Sequence, residues 1–311
     1  MNKKILALAV GSALALPMVA QAKVVVYGHA QVEIGNIDTG VTDQNFSRDQ
    51  SRGRFGIKAS EKLGNGMTAY AKFEFATDTS DGNRAPNSPL SPREHAVGLK
   101  GAFGAVELGR LKTPYKYFGG VTYDPFVATN LEARGNGGQT GGSFGHNSFR
   151  SNSIAWKSNN FNGLSVWLLA SIDEEDGTDG DYSIGVRYKA GPFEVGVTTI
   201  NDDSANLDRT KLFGQYKWGN HKFSGSFEAS SAGAVDTDTL FLGYQLRSGN
   251  NTFAAQYGNT DPDSGVETDY FAIGMIHHLS KKTRVFGGYR STDVDAGTET
   301  EVFSVGLRVL F

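Results

Sequence analysis

Few side chains in this sequence are spaced for covalent chemistry. Gly141-Gly142-Ser143-Phe144-Gly145 fits G-x-S-x-G, but a nucleophilic serine of that type needs a strand before it and a helix after it, and this one lies in a glycine-rich run. His277 and His278 are adjacent, so on a strand they face opposite sides, and no H-E-x-x-H is present. The acidic run from Asp173 to Asp181 has carboxylates for a hard cation, but not at EF-hand spacing, and a solvated loop is the simpler reading. The expectation is therefore no catalytic group, no metal and no cofactor. One connection does stand out. Thr113 to Arg150 is about 38 residues long, and a connection of that length in a compact fold usually has a function. It carries Asp124, Glu132, Arg134 and the run GNGGQTGGSFG. Its aromatics, Tyr115, Tyr117, Phe118, Tyr123 and Phe126, are too many for a solvated loop. They predict packing against an inner wall, the alternative being an external loop stacked on its own rings.

The elements that would hold this loop alternate with period two, the mark of a strand with two different faces. In the last segment Phe303, Val305, Leu307, Val309 and Phe311 share one side, and Val302, Ser304, Gly306, Arg308 and Leu310 the other. Tyr182, Ile184, Val186 and Tyr188 oppose Ser183, Gly185, Arg187 and Lys189. Phe55, Ile57 and Ala59 oppose Arg54, Gly56 and Lys58, with Arg52 on the polar side. About sixteen such segments are expected, near 24–34, 51–60, 66–77, 93–101, 104–112, 151–158, 163–172, 181–190, 192–201, 209–218, 221–230, 237–247, 251–260, 268–278, 282–292 and 300–311. Tight connections such as Gly191, Gly219-Asn220 and Ser248-Gly249-Asn250 carry the glycine and asparagine that hairpin turns need. Between them fall long polar ones: NIDTGVTDQNFSRDQ, TSDGNRAPNSPLSP, DEEDGTDGD and STDVDAGTET. Short turns at one rim and long loops at the other are the pattern of an outer-membrane barrel.

Composition agrees. The first residues have a basic start (Lys3, Lys4), an apolar stretch from Ile5 to Leu16, and the small-x-small end Ala20-Gln21-Ala22, which predicts a cleaved signal peptide over 1–22 and a barrel over 23–311. There is no cysteine, so an exported chain must be held by backbone pairing and packing alone. No later segment is apolar enough for a spanning helix. Without Lys3 and Lys4, 28 basic side chains stand against 33 acidic ones, which is not a nucleic-acid binder's balance. A soluble sandwich or propeller would also alternate, with its apolar faces inward. So many hairpins, small and basic polar faces and a terminal Phe311 inside an alternating strand favour the membrane barrel.

The chain resembles the Gram-negative general porins over its whole length after the signal. VVVYGHAQVEIG resembles their opening strand, RFGIKASEKLGNGMTAYAKFEF their second hairpin, and HAVGLKGAFGAVELGRLKTPY the run into their third loop. NSIAWKSNNFNGLSVWLL resembles the exit from that loop, and VGLRVLF the C-terminal strand read by the insertion machinery, with Phe311 as its signal. The resemblance implies an all-β, up-and-down transmembrane barrel of about sixteen strands, a homotrimer, with the third loop (about 113–150) folded into the lumen. The implied function is passive diffusion of small hydrophilic solutes and ions. The alternatives are a substrate-specific channel, a surface receptor or adhesin barrel, or a barrel enzyme, whose preorganised acid pair or nucleophile is not found.

The resemblance also carries roles to positions. Arg54, Arg93 and Arg150 match arginines of a basic wall opposite the loop, and His29 stands where many relatives have lysine. Asp124 and Glu132 match the loop's acidic pair. Arg93 shares parity with Val97 and Leu99, so it needs a bulge or the strand's end to face the polar side. Cations on a wall and carboxylates on a loop would set a transverse field across a narrow channel. At the outer rim, Asp173–Asp181 with Asp202, Asp203, Asp293 and Asp295 would attract divalent cations that lipopolysaccharide phosphates could share, with membrane lipid around the wall.

Overall fold

The computed structural model describes residues 22–49, 52–80, 90–172, 180–203, 206–295 and 297–311. The segment expected to be a signal peptide, apart from Ala22, and most of the acidic run Asp173–Asp181 lie outside the described residues. The strands are β1 (Lys23–Asp38), β2 (Asp43–Arg48), β3 (Gly53–Lys62), β4 (Thr68–Thr77), β5 (Ser91–Gly101), β6 (Gly104–Lys112), β7 (Phe149–Lys157), β8 (Leu164–Ser171) and β9 (Tyr182–Ala190). They continue as β10 (Phe193–Asp202), β11 (Leu207–Trp218), β12 (His221–Ala232), β13 (Val235–Ser248), β14 (Asn251–Pro262), β15 (Thr268–His278), β16 (Thr283–Val294) and β17 (Thr300–Leu310).

Each strand pairs antiparallel with its neighbours, and β17 returns to pair with β1, so the sheet closes. β1 pairs with β2 along its second half and with β3 along its first. β2 and β3 are thus two halves of one stave, and the barrel has sixteen. Closure leaves no edge whose N–H and C=O groups would face hydrocarbon.

The sides fall as the alternation requires. Phe303, Val305, Leu307 and Val309 point outward and Phe303 is 57% exposed, while Ser304 on the inner side is fully covered. Tyr182, Ile184 and Tyr188 are likewise exposed and Ser183 is buried. The apolar sides face lipid, not a second sheet.

One expectation needs correction. NIDTGVTDQNFSRDQ is not all loop: β1 runs on to Asp38, and Asp43–Arg48 pairs back onto it as β2. Similarly β16 extends to Val294. These extensions, like the hairpin tip Asp236-Thr237-Asp238-Thr239 of β13, are polar apart from Ile37, Phe46 and Val294, so the period-two signal fades where the wall rises above the apolar band.

The barrel closes on its last residue. The Phe311 N–H donates to the Gly28 carbonyl at 3.1 Å, and the Gly28 N–H donates to the Phe311 carbonyl at 3.3 Å. Deleting Phe311 removes both seam bonds and one lipid-facing ring. Each unmet backbone group in hydrocarbon costs several kcal/mol, roughly. The expected outcome is much less heat-modifiable, folded barrel in the outer membrane; an unchanged yield would count against an assembly role for this residue.

Candidate functional site

The chain between β6 and β7 begins at Thr113 and ends at Ser148, so Phe149 and Arg150 belong to β7. It starts with a helical turn, α1 (Pro114–Lys116), capped by Thr113. Four of its five predicted rings are buried: Tyr115, Phe118, Tyr123 and Phe126; Tyr117 is 38% exposed. They rest on apolar side chains that interrupt the polar inner sides of the strands. Trp167 of β8 lies edge-on to Phe118 at 5.7 Å, and Phe213 of β11 lies edge-on to Tyr123 at 6.0 Å. Leu169, Phe241 and Tyr270 belong to the same cluster. Burying a ring or a leucine is worth about 1.5–3 kcal/mol, so the loop is held by an estimated 10 kcal/mol or so before any hydrogen bond is considered.

Hydrogen bonds then fix its course. Tyr115 donates to Glu228 of β12, Gln256 of β14 donates to Asp124 at 2.8 Å, and Tyr270 of β15 donates to the Leu131 carbonyl at 2.6 Å. Gln31 of β1 and Arg308 of β17 donate to the Ala128 carbonyl. Glu33 of β1 accepts from the Asn130 backbone and side chain, both at 2.9 Å. Farther on, Thr260 donates to the Gly137 carbonyl and Arg209 to the Phe144 carbonyl, each at 2.9 Å. Close approach to the wall needs glycine. A Cβ on Gly258 of β14 would lie 2.1 Å from the Gly138 Cα.

These contacts run along β8 to β17 and β1. The inner sides of β3 to β7 carry a charged array instead. Lys72 pairs with Glu94, and also with Glu74 at 3.5 Å. Arg93 donates to Glu74 at 3.1 Å, Lys112 lies 3.8 Å from Glu94, and Lys157 pairs with Glu107. Lys58 sits over the Tyr27 ring at 4.2 Å. The register of β4 and β5 slips so that Glu74 faces Glu94 and Phe75 faces Pro92. Arg93 is the extra residue of this bulge, which turns it to the same side as Glu94 despite its parity with Val97.

Arg52 and Arg54 complete the group. Arg52 donates to Glu132, which also accepts from Arg134 at 2.7 Å and from the Ala128 N–H at 2.9 Å. Arg54 pairs in register with His29, whose Nε2 donates to the Arg52 carbonyl at 2.9 Å. No carboxylate lies within 4 Å of Arg54, Lys58 or Lys116 among the described residues. Burial, aided by the guanidiniums of Arg93, Arg134, Arg54 and Arg52, pushes the Lys116 ammonium well below the usual lysine range. Lys116 stands 3.7 Å over the Phe149 ring, which Arg93 and Arg110 also approach.

Two expected members differ. Asp124 is buried, and both its oxygens are used inside the protein: Oδ1 accepts from the Phe126 N–H and Gln256, and Oδ2 from the Ala133 N–H. It staples the loop and offers nothing to a solute, and burial pushes its carboxyl up to about 6. Arg150 is held by groups other than those that hold Arg93. It lies 3.4 Å over the Phe144 ring, donates to the Ser143 carbonyl and pairs with Asp181 at 3.0 Å. Residues not singled out from the sequence are Lys116, Arg134 as a partner of Glu132, and Lys72, Lys112 and Lys157, although the parity of the lysines on their strands was available. Ser143 of the G-x-S-x-G match has neither a strand before it nor a helix after it, and Asp173 to Gly180 of the acidic run lie mostly outside the described residues.

Comparison with known proteins places this arrangement. A family model described as Gram-negative porin matches residues 7–297. Outer membrane porin protein 32 of Delftia acidovorans is 26% identical over 92% of this chain and 88% of that protein. A monosaccharide porin of a Halomonas species is 26% identical over 80% of this chain and 76% of its own length. Among solved structures, an anion-selective porin from Comamonas acidovorans superposes with a TM-score of 0.80 at 22% identity, covering 94% of this chain and 100% of that one.

Proposed function

We propose that this chain, which belongs to the Gram-negative porins, is an outer-membrane channel for passive diffusion of small hydrophilic solutes, that its third loop forms the constriction, and that the constriction favours anions. The observation that carries the preference is the charge balance beside the loop. Arg52, Arg54, Lys58, Lys72, Arg93, Lys112, Arg134 and Lys157 stand against Glu74, Glu94, Glu107 and Glu132, so cations outnumber carboxylates two to one. Every one of those acids has a basic partner, whereas Arg54 and Lys58 have none, so their fields remain for a passing solute. Uncompensated cations on the wall of a narrow, low-dielectric channel raise the local anion concentration. The anion selectivity named for the solved relative supports the same reading. A homotrimer, and a rim that meets lipopolysaccharide through shared divalent cations, complete the proposal.

Reconstitution in a planar bilayer tests it. Discrete open-pore steps are expected, with a zero-current potential on the anion side in a tenfold KCl gradient. A silent membrane would remove the pore reading. Steps with a cation-side potential would remove only the anion preference.

A further inference from the structure

Opposite the charged wall, the returning limb of the loop is tied to β11 and β12 by a buried cluster that the diffusion pathway does not use. Lys211 of β11 is fully covered. Its ammonium donates to the Tyr115 carbonyl and to His146 Nε2, the latter at 2.9 Å. The protonation of His146 follows from its neighbours. Its Nδ1 lies 2.8 Å from the Thr140 carbonyl, which can only accept, so Nδ1 carries the hydrogen. Nε2 then holds a lone pair, and that lone pair receives Lys211. Glu228 of β12 accepts from the Tyr115 hydroxyl through Oε2, while its Oε1 is buried without a partner, 3.7 Å from His146 Nε2. Gly120 makes room for the imidazole, because a Cβ there would lie 2.4 Å from the ring.

We propose that Lys211 is a positioning residue of the constriction loop, and that its bond to neutral His146 makes this anchor fail in acid. The statement rests on the constriction reading above. Lys211 ties both limbs of the loop, Tyr115 at the start and His146 near the end, to one strand. The bond works in one protonation state only. A second proton on His146 would set two N–H donors against each other, with Glu228 Oε1 as the acceptor in reach. Among the described residues the other ionisable groups around the ring are Arg134 and Lys116 from the loop and Arg209 from β11, none of them acidic, so Glu228 is the one carboxylate there that favours protonation.

Burial and the Lys211 charge hold His146 well below its ordinary 6.5. A released loop would carry an ordinary imidazole, so seating is complete above about 6.5 and weakens as pH falls below it. Asp124 acts in the opposite sense. Burial raises it to about 6, so the seated loop takes up its proton first and acid favours that end.

The experiment is single-channel recording of the full barrel between pH 7.5 and 4.5, with His146→Gln and Lys211→Met. In the parent protein, loop flicker should increase at least several-fold as pH drops below about 6. His146→Gln retains an acceptor for Lys211 without a titrating ring, and should be quiet across the whole range. Lys211→Met should show the acid behaviour already at pH 7.5. If Lys211→Met does not assemble, His146→Gln decides alone: an unchanged acid response in it overturns the proposal, as does a parent channel that stays quiet in acid. Absence of channels in the parent would instead strike the pore reading.

Discussion

Arg54→Ala should move the zero-current potential in a salt gradient toward the cation side, and Glu132→Gln should move it toward the anion side. Arg54 has no carboxylate within 4 Å among the described residues, so its removal takes away an uncompensated charge. Glu132 pairs with both Arg52 and Arg134, and its replacement takes one negative charge from beside them. At an effective dielectric near 20, unit charges about 8 Å apart interact by roughly 2 kcal/mol, before salt screening. At 0.1 M salt, where a Debye length of about 10 Å cuts this to roughly 1 kcal/mol, a change of about fivefold in the anion-to-cation permeability ratio is expected from each variant, shrinking as the Debye length falls to roughly 3 Å at 1 M. Asp124→Asn is the control. Its carboxylate is consumed by the loop itself, so it should raise loop noise with little change in selectivity. Shifts of one sign for Arg54→Ala and Glu132→Gln would show that they do not supply opposite ends of one field.

The second large effect is expected from a residue with no charge. Gly258→Val places side-chain atoms where the Gly138 backbone now lies, since the Cβ alone would approach its Cα to 2.1 Å. β14 is paired on both sides and cannot yield, so the loop must move. Overpacking of this kind costs about 1–3 kcal/mol, and more when backbone is met. It should also break the Thr260 bond to the Gly137 carbonyl. Uptake of uncharged sugars should increase, with the proportion of folded barrel unchanged. Unaltered sugar flux would mean that the Gly135–Gly141 stretch does not limit the opening.

The staves were legible because lipid demands an apolar side on every strand and a hairpin demands glycine or asparagine at its tip. Phe303 to Phe311 read correctly for that reason. β2 was not legible, because Asp43–Arg48 carries a single apolar side chain, Phe46, too few for an alternating pattern. The loop's aromatics announced burial, yet the other half of that contact was also written in the chain. Trp167, Phe213, Phe241 and Tyr270 sit on otherwise polar inner sides, and a ring out of place on such a side marks something packed against it. Charge was harder to read. Parity placed Arg54 and Lys58, but Arg93 depends on a bulge that no local signal fixed. Whether Asp124 faces solute or its own loop depends on Gln256, far along the sequence.

Closure of β17 onto β1 has one more consequence. Their register from His29–Leu310 to Asp38–Glu301 is an ordinary antiparallel pair, no different in kind from those joined by turns. Lys23 at the start of β1 and Phe311 lie on the short-turn rim, where a brief peptide could join them. The wall therefore has no privileged beginning. A circular permutant opened at the two-residue tip Gly233-Ala234 between β12 and β13 would retain every stave and every pairing. What it would lack is a free terminal phenylalanine. Such a permutant separates what the ring requires of its members from what the cell requires of the chain's end.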